Sequence, residues 1–222
     1  MNAVRAIIWK EMRSFLRKRL QLGPIILIPL FLGVLLPLRF SLRFKGAAFL
    51  ASAMVVVYIG VYLFSWTSFQ EERLNKTISS LLASPIRVSE FFLGKILAIF
   101  IFTYLLELVA LVISASIMWF RLGEFPSASA ILGALVTIPI WGIVLTELLG
   151  LAYILLGNPL IVRFVMLILM LLGMNTLIEP ALASKIVAFF SSPIMPAASG
   201  IGIAVLLYIL MGRISKERMR KA

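Results

Sequence analysis

The chain contains no cysteine, no histidine and no aspartate, and all nine of its acidic residues are glutamate. Without cysteine there are no disulfides and no thiolate metal sites, and the sequence carries no sign of its redox compartment. Without histidine, imidazole ligation of a metal or a haem is excluded, as is any nucleophile that relies on a His base. A membrane enzyme is disfavoured on these absences. Charge is scarce too, at 14% of 222 residues, whereas 62% are hydrophobic. Soluble domains are about half apolar. The surplus is too large for one soluble core, so lipid must solvate much of the surface. The net charge is +12. Its basic residues sit at the two termini and in one central connection, flanking apolar runs. That placement fits anionic cytoplasmic lipid and the positive-inside rule, and argues against a nucleic-acid partner.

Residues 1–21 read as an amphipathic helix. Val4, Ile7, Ile8, Met12, Phe15 and Leu16 follow helical spacing, with Arg5, Lys10, Arg13, Arg17, Lys18 and Arg19 on much of the remainder. Such a helix lies in the membrane interface. Glu11 falls on its apolar stripe with no base at ±3 or ±4, and is expected to anchor the helix to the bundle through a base in 71–95. Residues 22–212 read as an all-α domain of six transmembrane helices: Leu22–Leu38, Gly46–Phe69, Phe91–Phe120, Ala128–Leu156, Leu160–Ile178 and Ala198–Gly212. Each is near the ~20 residues that cross hydrocarbon. The last is short, so its start is expected near Pro196. The run at 22–38 lacks a small-residue cleavage site and is expected to be a span rather than a signal peptide. Residues 213–222 form a basic tail. Placing both termini in the cytoplasm puts sixteen basic residues inside and five outside. The expected location is therefore the cell (plasma) membrane, multi-pass, with the 39–45 loop as the local exception.

Two connections exceed a simple turn, 70–90 and 179–197. In the first, Leu74, Ile78, Leu81 and Leu82 share one helical face, Pro85 ends that helix, and Ser89 can cap the next. From the pattern alone, 71–90 is either a solvated loop with an interfacial helix or a rigid handle between two spans.

The run Glu-Glu-Arg-Leu-Asn-Lys-Thr-Ile-Ser-Ser-Leu-Leu-Ala-Ser-Pro-Ile at 71–86, with Glu90 and Gly94-Lys95, resembles the coupling-helix signature of type-2 ABC exporter permeases. Asn75-Lys76 stands where that family usually has Gly before Thr. The run Trp9-Lys10-Glu11-Met12-Arg13-Ser14-Phe15-Leu16-Arg17 resembles the family's elbow helix. The resemblance implies a permease that pairs with a second copy or a paralogue and docks on ATP-binding cassette subunits. ATP and Mg would be held there, with no cofactor in this chain. It implies that 71–90 seats in a groove of the ATPase, with Leu81, Leu82, Ser84, Pro85 and Arg87 as the contacts at its tip. It also implies that 179–197, with Pro180, Pro193 and Pro196, forms outer re-entrant helices. Gly94-Lys95 is followed by Ile96 and lacks the upstream Gly of a phosphate loop, so any ATPase must be another chain.

Several polar or adaptable residues fall inside the spans. Glu107 and Glu147 have no base at ±3 or ±4, so each must be protonated, bonded to another helix or facing water. They are either lining groups of a transport path or interhelical hydrogen bonds that fix packing. Tyr58, Tyr62, Trp66 and Phe69 form a stripe on the second span, and Met166, Met170 and Met174 another on the fifth, followed by Asn175 and Thr176. These stripes suit an apolar or amphipathic cargo, or else are ordinary helix packing. The expected activity is ATP-driven export by alternating access. The competing class is an ion-coupled secondary transporter using Glu107 and Glu147, which leaves the 71–95 signature unexplained.

Overall fold

A computed structural model describes residues 3–17, 23, 26–27, 30–31, 45–70, 86–155, 160–162, 164–165, 168, 185, 188–190, 192 and 194–214. The described residues are 93% helical, with no strand among them. The elements are α1 (Ala3–Arg17), α2 (Lys45–Ser65) running into a π turn (Trp66–Gln70), and α3 (Val88–Leu122). They continue with α4 (Ala128–Leu132), a second π turn (Gly133–Thr137), α5 (Ile138–Leu155) and α6 (Ile194–Gly212). Among the described residues, four stretches are long and apolar enough to cross a membrane: Phe49–Phe69, Val88–Arg121, Ala128–Tyr153 and Ile194–Gly212. They correspond to the second, third, fourth and sixth expected spans. The first and fifth fall mostly outside the described residues, as do the 71–85 connection and most of 179–197.

The element ends are set by local chemistry. The backbone N–H of Arg87 donates to the Glu90 carboxylate at 3.0 Å, and the Arg87 carbonyl accepts from Phe91 N–H at 3.1 Å. Arg87 is therefore the N-cap of α3, held by the return arm of a capping box, with an acid in the first turn where the helix dipole favours it. Ser89, expected from its hydroxyl to cap this helix, lies inside its first turn instead. At the other end Gly123 adopts φ 64°, a left-handed conformation that costs glycine little, and its N–H closes on the Trp119 carbonyl at 2.9 Å. Ser127 then accepts from Ala130 N–H at 3.3 Å and starts α4. Helix α6 begins at Ile194, two residues before the start expected near Pro196. Pro196 thus belongs to its first turn, where the missing N–H removes no helical bond, and not to the outer segment expected at 179–197.

Helix α2 is the centre of the described bundle, packing against α3 and α5, while α1 lies on α3 and α6 on α5. The core is aliphatic and aromatic: Phe49, Leu50, Val56, Val61 and Phe64 of α2, Phe92, Ile99 and Leu106 of α3, and Leu149 of α5 are buried. Helices approach closely where a side chain is missing. A Cβ on Gly142 would lie 2.7 Å from Val57, so α2 and α5 are in backbone-to-side-chain contact there. Polar contacts between apolar helices are few. Trp141 Nε1 donates to the Pro196 carbonyl at 3.1 Å, tying α5 to α6. Some described hydroxyls turn back on their own helix, as Thr146 does to Gly142 O at 2.8 Å and Ser116 to Val112 O at 2.8 Å, whereas those of Ser65, Thr103, Ser114 and Thr137 are buried without a partner among the described residues.

Candidate functional site

The polar centre of the described structure lies where α1, the end of α2 and the start of α3 meet. Glu11 sits between Ile7 and Phe15 on the inward face of α1, at i and i±4, so docking that face buries it. The resulting burial demands a partner. Lys95 supplies it. Its Nζ is 2.9 Å from Glu11 Oε1, 3.0 Å from Ser68 Oγ and 2.6 Å from the Ser68 carbonyl. An ammonium has three N–H donors, and these three acceptors match them. Ser68 Oγ in turn donates to Glu11 Oε2 at 2.9 Å, so both carboxylate oxygens are engaged. The Lys95 side chain is fully buried, and the rings of Phe69 and Phe91 each stand 5.2 Å from its Nζ.

The backbone makes this cluster possible in two ways. Ser68 belongs to the π turn that follows α2, and both its carbonyl and its hydroxyl meet the Lys95 ammonium. Gly94, beside Lys95, leaves room for α1: a Cβ there would meet Ile7 Cβ and Cγ2 at 2.7 Å. An aromatic triad completes the junction. Phe15 lies 5.0 Å from Phe64 and 5.2 Å from Phe102, and Phe64 lies 5.4 Å from Phe102, between ring centroids. The anchor expected of Glu11 is thus present, and its base is Lys95. Lys95, counted among the sixteen inner basic residues, is a buried residue of α3.

The second polar feature is on α3 further along. Glu107 is fully buried, and neither carboxylate oxygen has a hydrogen-bond partner among the described residues. Thr103, one turn earlier, is buried as well, and its hydroxyl also lacks a partner among the described residues. Both border a cavity of about 10 Å³ between α2, α3 and α5. That is about the least volume that admits a single water. Glu147 on α5 is buried, and its Oε2 has no partner among the described residues.

The other expected site residues divide. Tyr58 and Tyr62 are half-buried on α2 against the core, and Arg87 is exposed at the foot of α3. Leu81, Leu82, Ser84, Pro85, Met170 and Asn175 lie outside the described residues. Ser68 and Thr103 had not stood out in the sequence, because a lone hydroxyl in an apolar run carries no signal until its neighbours are known.

Taken together, these features describe a multi-helix membrane protein with, among the described residues, one buried carboxylate whose oxygens are both bonded and two that are not fully bonded. No family model matches the chain, and no characterised protein matches it in sequence.

Proposed function

We propose that this chain is the membrane-spanning permease subunit of an ATP-driven exporter of the type-2 ABC class, moving a hydrophobic or amphipathic cargo by alternating access. ATP and Mg belong on a separate ATP-binding subunit, which would contact Leu81, Leu82, Ser84, Pro85 and Arg87. The permease would pair with a second copy or a paralogue in the cell membrane, both termini cytoplasmic. Besides the 71–95 resemblance, one observation carries the reading. The residues flanking the 71–85 connection, Ser68 and Phe69 on one side and Phe91 and Lys95 on the other, are bonded into one cluster with Glu11 of α1. A push on that connection reaches α1, α2 and α3 as one body instead of being absorbed at a hinge. A transport motor requires such rigidity of its handle.

The test is co-purification with the candidate ATP-binding subunit, comparing ATPase rates of the wild type and the Leu82→Glu, Arg87→Glu double variant. Loss of the complex, or collapse of the ATPase rate, in the double variant supports the reading. A chain that purifies alone and ignores both substitutions overturns it.

The ion-coupled alternative draws on Glu107, a buried acid with neither oxygen paired among the described residues. It predicts proton flux in proteoliposomes that lack any ATPase, abolished by Glu107→Gln.

A further inference from the structure

Helix α1 carries two opposed ridges. Ile7, Glu11 and Phe15 recur every four residues and are buried. Arg5, Trp9, Arg13 and Arg17 recur with the same spacing and are all exposed. At 3.6 residues per turn the two ridges point about 180° apart. Docking the first on α3 therefore turns the second directly away from α3. Glu11 is the sole acid of α1, and Lys95 takes it. The outward ridge thus presents three guanidinium groups and one indole, with Trp9 66% exposed and Leu16 beside it at 58%.

The packing of α1 sets the depth of that ridge. Gly94 of α3 lies against Ile7, and Phe102 lies against Phe15. Both pairs are eight residues apart, so α1 climbs along α3 instead of crossing it. Helix α3 has 35 residues, about 52 Å, against roughly 30 Å of hydrocarbon. Its far end carries the exposed rings of Trp119 and Phe120 and then Arg121, the composition of a membrane border. Counting back the ~20 residues that cross hydrocarbon brings the other border near Ile99. That level lies between Gly94 and Phe102, hence between Ile7 and Phe15 of α1. Trp9 and Arg13 stand there, where indoles settle and arginine side chains reach for the headgroups.

Cations at this level need a counter-charge. The chain does not hold enough of it: segments 1–21, 71–95 and 213–222 contain fifteen basic residues and five acids. Two of the five are engaged, Glu11 by Lys95 and Glu90 by the Arg87 N–H. We infer that the Arg5–Trp9–Arg13–Arg17 ridge is a docking surface for the headgroups of anionic phospholipids in the leaflet at the Val88 end of α3. A guanidinium pairs two N–H groups with two phosphate oxygens, and Trp9 and Leu16 match the boundary just beneath the headgroup. Because Glu11 ties α1 to Ser68 and Lys95, lipid held on one ridge bears on the polar junction behind the other. That this leaflet is the cytoplasmic one rests on the proposed orientation; the lipid contact itself is independent of the permease reading.

The test is electron spin resonance of the purified full chain in phosphatidylcholine vesicles, with trace spin-labelled phosphatidylglycerol or spin-labelled phosphatidylcholine. The motionally restricted fraction of each probe reports its preference for the protein surface. Phosphatidylglycerol should be preferred about threefold or more. The triple variant Arg5→Gln, Arg13→Gln, Arg17→Gln should lose at least half of the excess, and the corresponding lysine triple should keep most of it. Removing three cations elsewhere, by Lys216→Gln, Arg218→Gln and Arg220→Gln, should cost less than a quarter. No preference for phosphatidylglycerol, or an equal loss in the ridge and tail triples, overturns the assignment. So does a preference abolished when phosphate replaces chloride at equal ionic strength, which would make the ridge a site for free phosphate. Should the glutamine triple fail to reconstitute, the single variant Arg13→Gln, expected to lower the preference measurably, decides the matter. No ATP-binding subunit is present, so failure here leaves the ATPase result standing, and failure of the ATPase test leaves this one standing.

Discussion

Replacing Lys95 with methionine tests whether the buried cluster holds α1 to the bundle. The substitution keeps most of the side-chain volume and removes three contacts at once: the 2.9 Å ion pair with Glu11 and the bonds to the Ser68 carbonyl and hydroxyl. Glu11 is then left buried with only the Ser68 hydroxyl. Breaking one side of a buried pair typically costs about 3–5 kcal/mol, because the surviving charge keeps its desolvation penalty. If that cost falls on the docking of α1, its undocked population rises by roughly two to four orders of magnitude. The chain has no native cysteine, so Ile7→Cys introduces a single buried thiol on the docked face. Maleimide labelling of that thiol should be slow in the parent and accelerate by at least a hundredfold with Lys95→Met. Adding Glu11→Leu should bring the rate partly back, because it removes the orphaned acid, with a coupling of about 1–3 kcal/mol in the double-mutant cycle. A labelling rate that changes less than threefold in both single variants would refute the claim that this cluster fixes α1.

Other consequences follow from close approaches and single bonds. Gly94→Ala places a Cβ 2.7 Å from two atoms of Ile7 and should cost about 1–3 kcal/mol in thermal unfolding. The companion Ile7→Ala should recover part of that loss. Gly133→Ala should be worse than Gly94→Ala in the same assay, since the new Cβ meets the Phe190 carbonyl and backbone has less room to yield than a side chain. Trp141→Phe keeps the ring and loses the bond to the Pro196 carbonyl, so a loss of about 1 kcal/mol is expected in thermal unfolding.

The spans at 46–69, 91–120 and 128–156 were legible because an apolar run of sufficient length has one dominant solution in lipid. Their boundaries were less so. Glu90 rather than Ser89 sets the start of α3, because its longer side chain can return to the N-cap N–H while Ser89 already lies past the cap. The π turns at 66–70 and 133–137 have no local signature, being read from hydrogen-bond register alone. Glu11 announced itself as an acid on an apolar stripe, yet its partner stands 84 residues away, and only the packing of α1 on α3 reveals it. Which base of 71–95 would pair with Glu11 was not legible, because charge counting ignores which face of α3 meets α1. The absence of a base near Glu107 was visible in the sequence, while the hydroxyl beside it and the cavity they share required three helices in place.

Glu11 and Glu107 form an internal control on the meaning of a buried acid. Both are buried in apolar surroundings, at 4% and 0% exposure, but the first engages both oxygens and the second engages neither among the described residues. Glutamate-to-glutamine is nearly isosteric, so the substitution isolates chemistry from volume. At position 11 it breaks the ion pair and leaves the Lys95 ammonium without its counter-charge, which should cost about 3 kcal/mol or more of stability. At position 107 there is no bond to break among the described residues, and an amide is less costly to bury than a carboxylate. Stability should therefore hold or rise. An acid whose removal costs no stability is not needed for folding. Parallel thermal unfolding of Glu11→Gln and Glu107→Gln distinguishes the two cases directly. Equal destabilisation by both would make Glu107 a structural residue after all.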